Sequence, residues 1–479
     1  MQDIMTGKRH DSNALSACSP LRWLRKDFAI RILTGFLWFP CVSAGAGFWV
    51  TGYYPGWEQG YMPATNIDFA TVTHVIHFSI VPNTDGSLDS SINEISAANS
   101  EEVVSRTHAA GRKVLICIGG SDSESDFKGA TSGSNLPVFI NNLTNFMAVR
   151  GYDGVDIDWE PLHGADAAQY TNFVNRLRVA LNRFPKAKLL TAAVGAYQPY
   201  GDPPNSAYPV VASVQEQLDQ INVMTYDLSG AWSGWVTWFN SPVYDDDYHF
   251  PNSERLVPCV DAGVGNYLSN GVAPGKLGLG IPFYGYIWTG GNGVWQPRQS
   301  WPAANPPTVT DSAYSVIMSD YCRSNSYRWD TNAQAAYLSI TNVNPTNSMF
   351  ISYDDERAVQ AKISYARNHG MGGVMIWELS LDYDSAQPAG RRNPLLQAVK
   401  QGLATPGLMT IRPGNEQIDL SFTSLPLGSY RVRWTSNLTV GVWDTLVVTN
   451  VSGAGGLLQI SDPVSSIQSQ RFYRVQTPP

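Results

Sequence analysis

From about residue 47 the chain alternates between short apolar runs and longer amphipathic stretches. The runs are Phe48–Tyr54, Thr73–Ile80, Lys113–Ile118, Gly154–Trp159, Lys188–Val194, Gln220–Tyr226, Leu277–Phe283 and Gly373–Glu378. Several are apolar throughout, as parallel strands buried on both faces should be. Between them, Pro137–Val149 and Ala167–Phe184 carry apolar residues at helical spacing. Eight repeats of strand and helix predict an α/β fold, a (β/α)8 TIM barrel, with its chemistry at the C-terminal ends of the strands. The seventh and eighth runs stand too far apart for a single helix. The segment from about 286 to 350, rich in Gly, Asn, Pro and aromatics, reads as an inserted subdomain that raises one wall of a cleft. Beyond residue 404 the helical period disappears. Tyr430–Trp434, Thr445–Val448, Leu457–Ile460 and Arg471–Val475 predict a small all-β sandwich over 405–479. Its aromatics Tyr430, Trp434, Trp443 and Phe472 read first as its core, and second as a polysaccharide-binding surface.

Residues 1–46 read as an export signal. Arg22, Arg25 and Lys26 precede an apolar stretch, Phe28 to Ser43, broken by Arg31 and Thr34, and the small residues Ala44, Gly45 and Ala46 follow. The stretch is shorter than the ~20 residues of a membrane span. A lipid anchor on Cys41 is the other option. The expected mature chain is therefore secreted or periplasmic, without a membrane span. Cys18 and Cys41 leave with the signal; Cys117, Cys259 and Cys322 remain, and their spacing is unlike a metal site. A Cys259–Cys322 bridge is open on this reading.

Composition narrows the partner. The formal net charge is −8, and no Lys/Arg run of the kind nucleic-acid binders carry is present. The chain holds 15 Trp, 23 Tyr and 17 Phe. Aromatic rings stack on the apolar faces of sugars, and a neutral polysaccharide needs no charge complement, although most of these rings belong in a core.

The decisive segment is Asp153-Gly154-Val155-Asp156-Ile157-Asp158-Trp159-Glu160. In a strand, alternate side chains share a face, so Asp156, Asp158 and Glu160 line one side. Carboxylates stacked inside a barrel cannot all ionise, and at least one pKa must rise. A general acid needs such a raised pKa. A cation site is the main functional rival; His163 is near, but no second His stands at ligand spacing.

This segment resembles the D-x-x-D-x-D-x-E motif of glycoside hydrolase family 18, the family of chitinases and related endo-β-N-acetylglucosaminidases. Gly52-Tyr53-Tyr54 resembles the family's first strand, and Met224-Thr225-Tyr226-Asp227 its sixth. Ile281-Pro282-Phe283-Tyr284-Gly285 resembles the seventh, and Gly373 to Glu378 the eighth. The likeness covers roughly 47–403, and the 286–350 insertion resembles the family's α+β insertion. It implies that Glu160 protonates the glycosidic oxygen and that the 2-acetamido carbonyl of the substrate attacks the anomeric carbon. Asp158 would orient that group, Asp156 would share a proton with Asp158, and Tyr226 would bond the acetyl oxygen. Trp377 would floor the −1 subsite and Trp232 would be a +1 platform. Tyr53, Phe78, Met224, Asp227 and Tyr284 would line the pocket. No metal or organic cofactor is implied. Chitin or N-acetylglucosamine oligosaccharides are the expected partners of a monomer.

Two departures stand out. Cys117-Ile118-Gly119-Gly120 has a thiol where the family's third strand commonly has Ser, a weaker hydrogen-bond partner for Asp156. Tyr286 stands where many relatives carry Arg. Three rivals remain: a non-hydrolytic chitin-binding lectin, an enzyme acting on N-glycans or peptidoglycan, and a cell-surface protein with vestigial activity.

Overall fold

The computed structural model describes residues 47–196 and 207–404, and in the C-terminal region 410–413, 417–424, 429–438, 442–450, 456–463 and 471–476. The export-signal reading of 1–46 lies outside the described residues. No described helix is long and apolar enough to cross a membrane.

All eight expected strands form: β1 (Trp49–Pro55), β2 (His74–Pro82), β3 (Lys113–Gly120), β4 (Gly154–Trp159), β5 (Leu189–Gly195), β6 (Gln220–Met224), β7 (Leu277–Pro282) and β8 (Gly373–Trp377). They pair in parallel around a closed ring, because β1 bonds both β2 and β8. The strands bury both faces, which is why their sequences run apolar. Outward residues such as Val155, Ile157, Val114 and Val374 pack under the helices. Inward ones, among them Tyr53, Ile76, Leu115, Cys117, Ala193 and Met375, fill the interior.

The helix expected over 137–149 spans Asn135–Arg150 and ends on Gly151 in the left-handed region. The one expected to reach Phe184 stops at Leu181. Phe184 precedes Pro185, and the residue before a proline is disfavoured in helical geometry. Strand β6 is two residues shorter than expected, because the chain turns at Thr225–Asp227.

Between β7 and β8 lies a five-stranded antiparallel sheet, ordered 307–313, 284–290, 349–353, 335–340 and 327–330. It shares a second apolar core with the long loop after β6, where Trp238, Phe239, Trp288 and Phe350 are fully buried. Arg298 fastens the two, bonding Asp246 and Asp330 at 2.7 Å each and stacking 5.1 Å from Trp238.

The C-terminal region forms two three-stranded antiparallel sheets, with two strands beyond those expected, Thr410–Pro413 and Gln417–Ser424. Leu420 and Phe422 of one sheet pack on Tyr430 and Val432 of the other. Tyr430 is core as read. Trp434, Trp443 and Phe472 are only half-buried, and arginines stack on the two Trp: Arg471 at 4.0 Å from Trp434 and Arg474 at 4.2 Å from Trp443. Cys117, Cys259 and Cys322 are all free. The Cys259 thiol instead accepts from Ala262 N–H at 3.3 Å, capping the helix Val260–Ser269.

The base of the barrel depends on the Trp49 ring lying against bare backbone. A Cβ on Gly372 would sit 2.1 Å from that ring and 2.3 Å from the Gly275 carbonyl. Gly372→Ala is therefore expected to cost about 1–3 kcal/mol, the range for overpacking. Urea unfolding checks this, and an unchanged midpoint would refute the packing argument.

Candidate functional site

Strand β4 carries the site. Its register sets Cys117 of β3, Asp156 of β4 and Thr191 of β5 side by side at one level. Asp156 is fully buried and accepts from Thr191 Oγ1 at 2.5 Å and from Tyr53 Oη at 2.9 Å. The Cys117 thiol also bonds it. Burial still raises the Asp156 carboxyl above its ordinary value, against those donors. One level up, Asp158 is 2% exposed, and its Oδ1 has no hydrogen-bond partner. Burial first, and then the charges of Glu160 and Asp156, raise its pKa well above the ordinary value.

Glu160 is half-buried at the mouth. Burial pushes its carboxyl up to about 7; the bond to Asp158 opposes that shift, and the charges of Asp227 and Asp122 add to it. Both members of the pair are thus biased toward the protonated form. Ser123 steadies the strand end, its Oγ donating to the Asp158 carbonyl at 3.2 Å and accepting from Glu160 N–H at 3.1 Å. Gly119 is required beside it: its φ is +106°, and a Cβ would lie 2.1 Å from the Asp158 carbonyl oxygen.

A cavity of about 520 Å³ opens over these groups. Asp158, Glu160, Met224, Tyr226, Asp227, Phe78 and Trp377 line it, so seven of the expected residues meet there. Trp377 packs edge-on to Phe78 at 4.8 Å and lies 5.6 Å from Tyr53. The peptide bonds Phe78–Ser79, Glu160–Pro161 and Trp377–Glu378 are cis. Tyr226 is buried and its hydroxyl faces Met375 Sδ at 3.7 Å.

Four expected residues stand apart from the cavity lining, the buried Asp156 and three aromatics. Tyr53 is fully buried beneath, bonded to Asp156. Tyr284 lies behind Asp227 and donates to its Oδ1, as Tyr286 does at 2.5 Å. Trp232 is 37% exposed on the loop after β6, packed edge-on to Trp235 at 4.4 Å. Asp227 has a φ of +58°, and Asn240 Oδ1 accepts its N–H at 2.9 Å. Asn240 and Thr191 went unread in the sequence, since a single polar residue far along the chain carries no local signal. Trp57, Asn93, Asp122 and Asp126 also line the cavity unannounced. His163 lies 3.9 Å from Glu124, outside the cavity lining, and no group of three metal-ligating side chains gathers among the described residues. A second cavity, about 550 Å³ and lined by Tyr314, Glu356, Asp382 and Arg391 among others, touches none of the β4 carboxylates.

Comparisons with known proteins agree with this geometry. The sequence profile of glycosyl hydrolases family 18 matches residues 50–382. Chitinase A1 of Niallia circulans is 32% identical over 359 residues, covering 69% of this chain and 47% of that protein, so the chain spans about half the length of that relative. Among solved structures, the Group IV chitinase of Ostrinia furnacalis in complex with allosamidin superposes with a TM-score of 0.63 at 24% identity, covering 74% of this chain and 99% of that one. Human YKL-39, described as a pseudo-chitinase with retained chitooligosaccharide binding properties, gives 0.62 at 23% identity, covering 75% of this chain and all of that one. At such identities these two likenesses speak to the fold.

The buried acids make stability depend on pH. Besides Glu160, burial raises Glu378 to about 8 and Asp382 to about 7. The folded protein thus binds more protons than the unfolded chain from the ordinary carboxyl values, 3.8 and 4.5, up to about 8. Stability contributed by these groups falls as pH rises through that window. The buried neutral His74 and His77 act in the opposite sense below about 6.5, so the carboxyls are read from thermal melts of wild type against a variant, above that pH. Glu378→Gln should flatten the slope, and a slope unchanged in that variant would remove Glu378 from the account.

Proposed function

This chain belongs to glycosyl hydrolase family 18, and from that membership we propose that it is an exported, monomeric chitinase hydrolysing β-1,4 bonds between N-acetylglucosamine units with retention of configuration. The observation that carries the reading is Glu160 at the cavity mouth, with its carboxyl raised to about 7, directly above the buried Asp158. A carboxylic acid poised near neutrality is what protonation of a leaving oxygen needs. Ordinary glycosidases add a second carboxylate as nucleophile or base. Here Asp158 sits too deep for attack and is better suited to hold an acetamido N–H with the oxygen it leaves unpaired.

The steps follow. Glu160 gives its proton to the glycosidic oxygen as the acetamido oxygen of the −1 sugar bonds to the anomeric carbon, forming an oxazolinium ion. Asp158 orients that group and balances its charge, while Asp156 below takes up a share of the proton. Tyr226, its phenol kept protonated by burial, donates to the acetyl oxygen. Trp377 offers an apolar floor. The departing sugar leaves room for water. Glu160 takes a proton from that water as it attacks the anomeric carbon from the vacated side; the bond to the acetamido oxygen breaks, the neutral acetamido group re-forms, and the second inversion restores the β configuration. The pattern of residues 22–46 supports export, and the relative named Chitinase A1 supports the substrate.

Glu160→Gln keeps the shape but not the proton. Its kcat on soluble N-acetylglucosamine oligomers should fall at least ~10²-fold with oligomer binding retained, and wild-type kcat/KM should decline as pH rises through about 7, where Glu160 loses its proton. Product analysis alongside a high-mannose glycoprotein and peptidoglycan tests the substrate. Early product should be the β anomer; an initial α anomer, or a Glu160→Gln variant as fast as wild type, would overturn the mechanism. Binding of oligomers by a wild-type chain that cuts nothing would leave a lectin.

A further inference from the structure

The second sheet of the C-terminal region is ordered Asp444–Asn450, Ser429–Thr435 and Phe472–Gln476. Tyr430 and Val432 of its central strand turn inward to the sandwich core. Side chains alternate along a strand, so Arg431 and Arg433 share the opposite face. The register adds to them: Arg433 pairs directly with Arg474, and Arg431 with Val448 and Gln476. Arg433 and Arg474 thus stand one strand spacing apart, about 4.8 Å, with Arg431 about 7 Å further along the strand. Arg431 and Val448 are exposed, and Arg433, Arg474 and Trp443 are half-buried. Arg474 lies 4.2 Å over the Trp443 ring, and Arg433 Nη2 donates to the Trp443 carbonyl.

None of these three arginines makes an ion pair with a described residue, whereas Arg471 of the same sheet is paired with Asp462. The Nε atoms of Arg433 and Arg474 are buried without a hydrogen-bond partner. Like charges directly opposite each other on a sheet are destabilising, and a buried donor without an acceptor adds to the cost. Folding gains nothing from this arrangement. An oxyanion seated against the two guanidinium groups relieves their repulsion.

The residue types narrow the ligand. Residues 405–479 hold five arginines and no lysine. Guanidinium forks suit carboxylate and sulfate groups, which take two hydrogen bonds at once. The stack on Trp443 holds the plane of the Arg474 guanidinium, so little freedom is lost on binding. Three cations are few for a nucleic acid, whose affinity grows with many phosphate contacts. The exposed Val448 beside Arg431 offers apolar contact between the charged positions, as an extended sugar chain with spaced acid groups requires.

We propose that this outer face binds an acidic polysaccharide, its carboxylate or sulfate groups received by Arg433 and Arg474, with Arg431 meeting a further group along the chain. The inference goes beyond the hydrolase reading and does not depend on it. The appended domain holds the protein to a charged glycan, while the barrel keeps its own substrate.

The test is calorimetric titration of the full chain at low salt with oligogalacturonate, sulfated dextran, neutral dextran and polyglutamate. One or both acidic glycans should bind and neutral dextran should not, and the stronger of the two identifies the acid group. In about 1 M salt, where screening shortens to roughly 3 Å, binding should weaken. The double variant Arg433→Gln, Arg474→Gln should bind about tenfold less tightly, the scale of two exposed ion pairs. Its Tm should hold or rise, since the like-charge contact is gone, and its hydrolysis of N-acetylglucosamine oligomers should match wild type. On the native chain, bound glycan should shield Arg433 and Arg474 from phenylglyoxal, read by peptide mass mapping, which serves even where the variant misfolds. Failure of both acidic glycans to bind, wild-type affinity in the variant, or bound glycan that leaves both arginines reactive would overturn the proposal. Polyglutamate binding as tightly as the glycans would overturn it in favour of an acidic protein partner. Binding is read without turnover, so loss of the hydrolase reading would leave this result standing.

Discussion

Three carboxyl groups stack at the end of one barrel strand, Asp156 and Asp158 buried and Glu160 at the cavity mouth, and the rest of the molecule accommodates that crowding. Burial disfavours the charged form of each, and proximity disfavours charging them together. Asp156 is held by three donors from three different strands and still sits above its ordinary pKa. The cost is absorbed by a closed, well-packed barrel whose outer layer is apolar. Burial, helped by the charges of Asp227 and Asp122, raises the Glu160 carboxyl, and without its proton the cavity would be a sugar-binding groove with no acid.

The wall of the site has its own support. The loop after β6 has little regular structure, yet it buries Trp238 and Phe239 against Trp288 and Phe350 of the inserted sheet. Asn240, at the inner edge of that loop, accepts the Asp227 N–H and takes Ser352 Oγ on its own N–H at 2.7 Å. A deeper anchor continues the chain of contacts. Lys362, fully buried, bonds Asp354 and Ser241, and Ser241 in turn bonds the Thr225 carbonyl. The turn that presents Tyr226 and Asp227 is therefore held from behind by the insertion and by the helix Glu356–Asn368. Tyr284 and Tyr286 hold the Asp227 carboxylate from the side. The Tyr286 phenol gives Asp227 a hydrogen bond without a compensating positive charge.

Much of this was legible along the chain because its causes are local. Parallel strands buried on both faces must be apolar, so eight runs announced eight strands. A strand places alternate residues on one face, so the spacing of Asp156, Asp158 and Glu160 alone put them together. Strand ends were less legible where a turn or a proline further along intervened, as at Thr225 and Phe184. The strands Thr410–Pro413 and Gln417–Ser424 went unread; the first is a four-residue edge strand, and the second is the central strand between it and Gly456–Pro463.

What the sequence by itself determined is the barrel and the ladder of carboxylates, since both follow from periodicity within one segment. Tertiary structure alone decided which donors reach Asp156, that Trp232 stands outside the cavity while Trp57 lines it, that Cys259 and Cys322 stay apart, and that Asp122 and Asp126 share the cleft with Glu160. These are contacts between residues tens to hundreds of positions apart. Only the closure of the ring brings them within reach, and no local pattern of hydrophobic and polar positions encodes that distance.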